Sequence, residues 1–279
     1  MDPLDTTVPM IGLGAMALVF VALAAVEFLI PHRGLQYGRA RRWVTNLGLF
    51  ALDTALVRVA VPLLMVGTAQ LAEARGWGLF NQFALPFWFE LLLALVALDL
   101  ALFLQHRATH RVPLLWRLHQ VHHADPDFDV TTAARFHPIE IGLSMLYKMA
   151  VVALLGPAAL AVFVFEVAFN AATLFVHANL SLPPALDRLA RFFVVTPDMH
   201  RIHHSTLQRE TNSNYGTMLA GWDRLFGTYR ESAQAGQDGL TIGLAEYQDD
   251  RPLGLGWSLL LPFRDRAQLA SQAKGPQSR

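Results

Sequence analysis

Long apolar segments, separated by short polar ones, dominate the first two thirds of the chain. Residues 10–30, 47–71 and 83–105 form stretches of 21, 25 and 23 residues with few charges. About 20 apolar residues suffice for a helix to cross the hydrocarbon core of a bilayer. Each stretch therefore predicts a membrane-spanning helix. A signal peptide is the weaker interpretation of residues 10–30, because no basic segment precedes them.

A fourth apolar stretch, residues 141–177, is too long for one pass. As one straight helix its 37 residues would extend about 55 Å. Gly156 and Pro157 interrupt it near the middle, so it predicts a helical hairpin of two short or tilted passes. Residues 253–261 are too short to span and are expected against the membrane or the protein core. Residues 268–279 predict a loose tail.

These segments predict an all-α fold, a polytopic membrane helical bundle with about four membrane passes or hairpin helices. The composition agrees, with 53% apolar and 16% charged residues and a mean hydropathy of +0.34. The absence of cysteine excludes disulfides, iron–sulfur clusters and thiolate-bound zinc. Because 22 basic residues balance 22 acidic ones, no nucleic-acid partner is expected.

Basic residues predict the orientation in the membrane. They cluster between the first two spans and after the third, at Arg33, Arg39, Arg41, Arg42, Arg107, Arg111, Arg117 and Arg135. The opposite side has an acidic N-terminus and a short loop with Glu73 and Arg75. Since basic residues favour the cytoplasmic side, the N-terminus is expected outside and the later polar segments in the cytoplasm, as a helical cap on the bundle.

Histidine is the unusual feature of this cap. Ten of the eleven histidines lie within 99 residues, from His106 to His204. One HxxxH motif, two HxxHH motifs and one further histidine supply nine of them: His106, His110, His119, His122, His123, His177, His200, His203 and His204. Helical positions i, i+3 and i+4 share a face, so each HxxHH motif is expected to form a three-imidazole claw.

A single histidine is usually a surface or core residue, but this repeated pattern predicts metal ligands. Imidazole suits iron, zinc, copper and nickel. Nine ligands exceed the capacity of one ion and suit two. A HExxH zinc-protease motif is absent from the sequence.

Polar residues in the apolar segments are further candidates. Asp99 precedes His106 by seven residues on the same helical face. A carboxylate at membrane depth is costly, so we expect it to accept the free N–H of a ligand imidazole. A salt bridge to a neighbouring helix is the alternative. Glu166, Asn170, Thr173 and His177 are spaced 4, 3 and 4 apart, which predicts a polar stripe pointing at the site.

A predicted helix start and one further histidine lie near the histidine motifs in the sequence. Thr196, Pro197 and Asp198 predict a helix start that places the last HxxHH motif in its first two turns. His137, beside Pro138, is expected to support a ligand from outside the coordination sphere; a role as tenth ligand is the alternative.

The ordered HxxxH, HxxHH, HxxHH motifs on membrane helices resemble the fatty acid hydroxylase superfamily, or sterol desaturase family, of membrane histidine-box di-iron oxygenases. Other segments resemble its bacterial members: residues 128–132 (FDVTT), 135–140 (RFHPIE), 196–200 (TPDMH), 214–216 (NYG) and 222–228 (WDRLFGT). The resemblance covers about residues 44–230. It implies one membrane domain over residues 1–279, with its core at about 44–230 and a peripheral segment and tail at 231–279.

The resemblance also implies an activity. It implies two non-haem iron ions, O₂ as co-substrate, and hydroxylation or desaturation of a C–H bond in a lipid such as a sterol or fatty acyl chain. Asp99, Glu166 and Asn170 would then lie at the catalytic site. Electrons would come from a separate donor, cytochrome b5-like or a ferredoxin with its reductase. The bacterial inner membrane is the implied location.

Two other functions remain open from the residues alone. One is a histidine-rich membrane metal transporter, although transport needs sites along a path through the membrane and these histidines crowd at one face. The other is a hydrolase that uses two zinc ions without redox chemistry.

Overall fold

The computed structural model describes residues 4–61 and 63–264, with side chains from Met10 onward. The predicted tail at residues 268–279 lies outside this part of the chain. The described residues form helices and turns without a β-strand. The α-helices are α1 (Leu4–Leu29), α2 (Arg39–Ala60), α3 (Met65–Arg75), α4 (Phe87–Arg111), α5 (Pro113–His123), α6 (Pro138–Leu155), α7 (Ala159–His177), α8 (Pro184–Ala190), α9 (Pro197–His203), α10 (Gln208–Thr211), α11 (Gly221–Leu225) and α12 (Leu255–Leu260).

Five helical segments are long and apolar enough to cross a membrane. They are Met10–Leu29, Arg39–Gln82, Phe87–Arg111, Pro138–Leu155 and Ala159–His177. Most of their side chains point away from the protein interior, as lipid-facing side chains do. The prediction of an all-α polytopic membrane bundle is confirmed.

The predicted span at residues 47–71 consists of two helices. Helix α2 ends at Ala60, and α3 begins only at Met65. Between them, Val61 has the extended conformation, with φ −121° and ψ 95°. The next residue in the sequence is a proline, whose ring disfavours helical geometry at the preceding position. Helix α3 packs separately against α6 and α7.

The predicted hairpin is confirmed at its break. Helix α6 ends at Leu155 and α7 begins at Ala159. Gly156 has φ +66°, and a Cβ atom there would lie 2.3 Å from the carbonyl oxygen of Trp77, so only glycine fits. Glu90 of α4 accepts a hydrogen bond from the Ala158 backbone N–H at 2.6 Å, which joins the turn to the bundle.

Short helices cover one end of the bundle and carry most of the histidines. Helix α5 packs on α4, and α9 packs on α7. Residues 253–261 form α12 and its flanking turns; Leu253 and Leu261 are buried, and Leu261 packs in the cluster that contains Leu49 and Val121. The expectation that this apolar segment does not span but lies against the protein core is confirmed.

A buried ion pair fixes the cap to the membrane helices. The Nε atom of Arg42 in α2 donates to Asp125 at 2.7 Å, and its Nη1 atom donates to Asp129 at 2.5 Å. All three side chains are inaccessible to solvent. Because Asp125 lies two residues after His123, the last residue of α5, this pair positions the first HxxHH motif relative to α2.

Candidate metal centre

The structure gathers the nine predicted ligands into two adjacent groups. Within each group, one nitrogen of every imidazole lies within 4.8 Å of the others. The first group contains His106, His110, His119, His123 and His203. The second group contains His122, His177, His200 and His204. The groups touch, since the His123 and His204 rings stack with centroids 4.4 Å apart.

The three imidazoles of each HxxHH motif lie side by side, as expected, but they divide between the two groups. In α5, His119 and His123 enter the first group, whereas His122 enters the second. In the other motif, His200 and His204 enter the second group and His203 the first. At 3.6 residues per turn, the first and last histidines of the motif, four residues apart, point about 40° from each other. The middle histidine points about 60° from the first and about 100° from the last. Each motif therefore spans both groups.

Nitrogen–nitrogen distances fit coordination of a common ion. The Nε2 atom of His177 lies 3.1 Å from Nε2 of both His122 and His200. In the first group, the Nε2 atoms of His203 and His106 are 3.1 Å apart. Two ligands at right angles on a metal, each about 2.1 Å away, would be about 3 Å apart.

Hydrogen bonds orient five of the imidazoles. Their Nδ1 atoms face acceptors, so Nδ1 carries the proton and Nε2 keeps its lone pair. The pairs are His106 with the Tyr215 carbonyl (2.7 Å), His119 with Glu140 (2.6 Å), His122 with the Arg135 carbonyl (3.2 Å), His177 with the Thr173 carbonyl (2.7 Å) and His203 with the Ser213 carbonyl (2.7 Å).

Unpartnered nitrogens test whether the site suits a metal. Nε2 of His119 and both ring nitrogens of His110, His123 and His204 are buried without a hydrogen-bond partner among the described residues. Burying such groups unpaired is costly, and a bound cation removes that cost. The donor set, all imidazole nitrogen, fits two ions of the iron, copper, nickel or zinc class.

Burial keeps five of these imidazoles neutral. It lowers the pKa of His203 to about 3 and holds the pKa values of His122, His123, His200 and His204 well below the usual 6.5, with neighbouring imidazoles adding to the effect. Neutral imidazole is the form that binds metal. The groups are therefore ready for cations at neutral pH.

The turn between α10 and α11 contains the NYG segment, and it positions two ligands of the first group, a role that its residue types did not reveal. Its residues Ser213 and Tyr215 supply the carbonyl acceptors for His203 and His106. Asp223 holds the turn by accepting from the Tyr215 and Gly216 N–H groups at 2.9 and 2.8 Å. These contacts give a physical reason for the NYG and WDRLFGT segments. Backbone acceptors leave no residue-type signal that could reveal them.

A cavity of about 390 Å³ adjoins the two groups. Five ligand candidates line it: His106, His119, His122, His177 and His200. Most of its other lining residues come from α2, α4, α6 and α7, which lie in segments long and apolar enough to cross a membrane. A molecule in this cavity would therefore meet both groups while remaining between membrane helices.

The predicted contact between Asp99 and a ligand imidazole is wrong. Its Oδ2 atom instead accepts hydrogen bonds from the Trp222 indole N–H at 2.8 Å and the Leu219 N–H at 3.2 Å. Asp99 shares a face with His106 but lies about 10 Å further along the helix, at about 1.5 Å per residue. The alternative of a salt bridge does not hold among the described residues either.

The polar stripe on α7 reaches the site only in part. Asn170, Thr173 and His177 line the cavity. Glu166 is absent from the cavity lining and instead interacts electrostatically with Lys148. It shares the face of His177 but lies eleven residues away, about 16 Å along the helix.

His137 belongs to neither histidine group. Its Nδ1 atom accepts from the Ile139 N–H and caps α6, and its Nε2 atom contacts the Leu259 carbonyl at 3.2 Å. The expected contact with a ligand comes instead from Glu140, one turn into α6. The predicted helix start is confirmed, because the Thr196 side chain caps α9.

Comparisons with known proteins agree with this geometry. A sequence model of the fatty acid hydroxylase family matches residues 91–228. The chain is 36% identical to an ornithine lipid hydroxylase of Rhizobium tropici over 52% of this chain and 43% of that protein. It is 28% identical to human alkylglycerol monooxygenase over 59% of this chain and 36% of that protein.

A third relative covers more of the chain. A Δ7-sterol 5(6)-desaturase of Aspergillus fumigatus is 27% identical over 76% of this chain and 62% of that protein. The chain spans less than half the length of the first two relatives, the ornithine lipid hydroxylase and the alkylglycerol monooxygenase. No solved structure matches it significantly. The family match covers the segment that carries the nine clustered histidines, so over residues 91–228, just under half of its length, the chain is similar to the fatty acid hydroxylase family.

Proposed function

We propose that this protein is a membrane-bound, non-haem di-iron oxygenase that hydroxylates or desaturates a C–H bond of a lipid with O₂ and external electrons. One observation carries the proposal: two adjacent groups of buried or half-buried imidazoles adjoin a cavity between membrane helices. The relatives named above, which include a hydroxylase, a monooxygenase and a desaturase, favour this chemistry over metal transport and zinc-dependent hydrolysis.

The nine imidazoles would hold two iron ions, five on one and four on the other. Iron supplies the redox chemistry that cleavage of an unactivated C–H bond by O₂ requires, which zinc cannot provide. In five of the imidazoles, hydrogen bonds from Nδ1 to Glu140 or to backbone carbonyls would keep the Nε2 atom pointing at its ion. The mostly apolar cavity wall would limit the access of water, and Asn170 and Thr173 would contact the lipid.

The location and partners complete the proposal. The histidine groups would face the cytoplasm of a bacterial cell, where basic residues flank the spans. The lipid would enter the cavity sideways from the bilayer. Electrons would come from a separate cytochrome b5-like protein or a ferredoxin with its reductase. Residues 1–279 would act as one domain around the core at about 44–230.

Isotope labelling tests the reaction. The iron-loaded protein in bilayer discs is given a reductant system, membrane lipids and ¹⁸O₂, and the lipids are analysed by mass spectrometry. Hydroxylation adds one ¹⁸O atom and desaturation removes two hydrogens; His122→Ala should abolish both, and His32→Ala should not. Label arriving from H₂¹⁸O instead would indicate a hydrolase, and metal passage across vesicles without lipid change would indicate a transporter. Either result would overturn the proposal.

A further inference from the structure

A short segment after the last histidine motif lies beside the middle of a membrane-crossing helix. Asp99 is the central residue of α4, with 12 residues on either side of it. It accepts hydrogen bonds from the Leu219 N–H at 3.2 Å and from the Trp222 indole N–H at 2.8 Å. Each half of α4 is about 18 Å long, so these two contacts lie far from either end of this apolar helix.

Two further contacts place the same segment against the membrane helices. Phe226 stacks on Phe103 of α4, with ring centroids 5.2 Å apart. Met218 packs against the apolar core cluster that α3, α4, α6 and α7 form together. Residues 218–226 are thus part of the membrane bundle by position, although they follow the short helices of the cap in the sequence.

Large apolar side chains around this segment are exposed among the described residues. Phe192, Phe193 and Leu225 are 70%, 67% and 71% accessible. The backbone of Val194 forms an antiparallel bridge with Leu219, which joins the two phenylalanines to the segment that contacts α4. We call the exposed set the apolar face of the cap; it consists of Phe192, Phe193, Val194, Leu225 and Phe226.

This apolar face continues a side of α4 that is itself apolar and exposed. Leu92, Val96 and Leu104 are spaced four and eight residues apart along that side, and all three are exposed. Leu104 directly follows Phe103, on which Phe226 stacks. Side chains on such a side of a membrane-crossing helix face lipid. A surface that adjoins it and has the same apolar character is expected to face lipid as well.

The charged residues near the apolar face suit the boundary of a bilayer. Arg188 and Arg224 are exposed. The acidic residues beside them, Asp187 and Asp223, are buried. Arginine buries its stem along apolar surface while its charged end reaches the headgroups, and anionic lipids attract such cations. A second copy of the chain on this face would instead bring its own arginines close to these.

We propose that the apolar face of the cap is inserted into the bilayer and binds the acyl chains beneath the headgroups, with Arg188 and Arg224 at headgroup level. Interfacial segments of this kind insert about 5–10 Å deep. Thr217, beside this segment, lines the cavity, so the bilayer would also hold one wall of the cavity in place. This inference does not depend on the oxygenase function, because it involves neither metal nor turnover.

Spin labels measure whether the face is in lipid. The chain has no cysteine, so a single introduced cysteine carries one nitroxide. Phe193→Cys and Leu225→Cys report on the apolar face, Leu92→Cys on α4 is the lipid control, and Ser232→Cys is the water control; all four positions are exposed. The full-length protein is placed in vesicles of phosphatidylcholine and phosphatidylglycerol. Electron paramagnetic resonance then measures collisions of each label with O₂, which concentrates in acyl chains, and with a water-soluble nickel chelate.

We expect Phe193→Cys and Leu225→Cys to collide mainly with O₂, as Leu92→Cys does, at a depth of about 5–10 Å below the headgroups. Ser232→Cys should collide mainly with the nickel chelate. If Phe193→Cys folds poorly, Phe192→Cys, at a similarly exposed position, serves in its place.

Two outcomes would overturn the inference. Collision mainly with the nickel chelate at either position of the face would place that face in water. Exclusion of both reagents would show that protein covers it, and spectral broadening that disappears on dilution with unlabelled protein would identify a second copy. Neither outcome bears on lipid oxidation, and a protein without oxygenase activity could still insert this face, so the two proposals fail separately.

Discussion

The Nδ1 atom of His119 lies 2.6 Å from Oε1 of Glu140, and both side chains are buried. This hydrogen bond fixes the ring of His119 so that its unpartnered Nε2 atom faces the first histidine group. The carboxylate makes the imidazole a stronger ligand than a neutral acceptor would. Glu140 also places one negative charge beside a centre that otherwise consists of neutral imidazoles and cations.

Replacing Glu140 by glutamine should weaken metal binding without unfolding the protein. The amide oxygen can still accept the Nδ1 proton, but the charge is lost, so metal affinity or activity should fall about 10–100-fold. Competition with a chelator measures the affinity. Glu246→Gln, at an exposed position, is the matched control. Unchanged affinity in Glu140→Gln would show that the carboxylate does not support the site.

The division of the histidines predicts the outcome of paired substitutions. His203 and His204 are neighbours in sequence but belong to different groups, whereas His203 and His106 share a group. The His203→Ala/His106→Ala variant should therefore keep about one ion per chain, and His203→Ala/His204→Ala should keep about none. Metal analysis of the folded protein decides. Equal losses in the two double variants would contradict the two-group arrangement.

The sequence predicted which histidines meet but not how they divide. The spacing of His119, His122 and His123 places all three on one side of α5, and only the positions of α4, α7 and α9 determine which ring joins which group. The spacing also shows which residues share a helical face but does not bring them close together, because distance along the helix separates them. Glu166 and Asp99 share faces with His177 and His106, yet a helix rises about 1.5 Å per residue and carries them out of reach.

Asp99 should matter for folding rather than for metal binding. Asp99→Leu leaves the Trp222 N–H without its acceptor, which costs about 1–3 kcal/mol of the free energy of unfolding. The double variant Asp99→Leu/Trp222→Phe should recover part of that loss, because the donor is gone as well. Thermal unfolding and iron per chain are measured together. Depleted iron in a stable Asp99→Leu protein would restore a role at the metal site.

Acid should destabilise the metal-free protein. Because burial lowers the folded-state pKa of His203 to about 3, the unfolded chain binds more protons than the folded one between about pH 3 and 6.5. This contribution to stability is complete above pH 6.5 and decreases as the pH falls through that window. The melting temperature should drop between pH 7 and pH 5, less steeply in His203→Gln. A flat profile would contradict neutral buried histidines.

The absence of cysteine makes the orientation of the protein directly testable. Single cysteines are introduced at Ala74, near the loop before α4, and at Ser232, beyond α11 on the histidine side; both residues are exposed. Because basic residues favour the cytoplasmic side, a membrane-impermeant maleimide should label Ala74→Cys in intact bacterial cells and should label Ser232→Cys only after permeabilisation. The cysteine-free wild type reports background labelling. Labelling of Ser232→Cys in intact cells would place the histidine groups on the outer side, where a cytoplasmic ferredoxin could not supply their electrons.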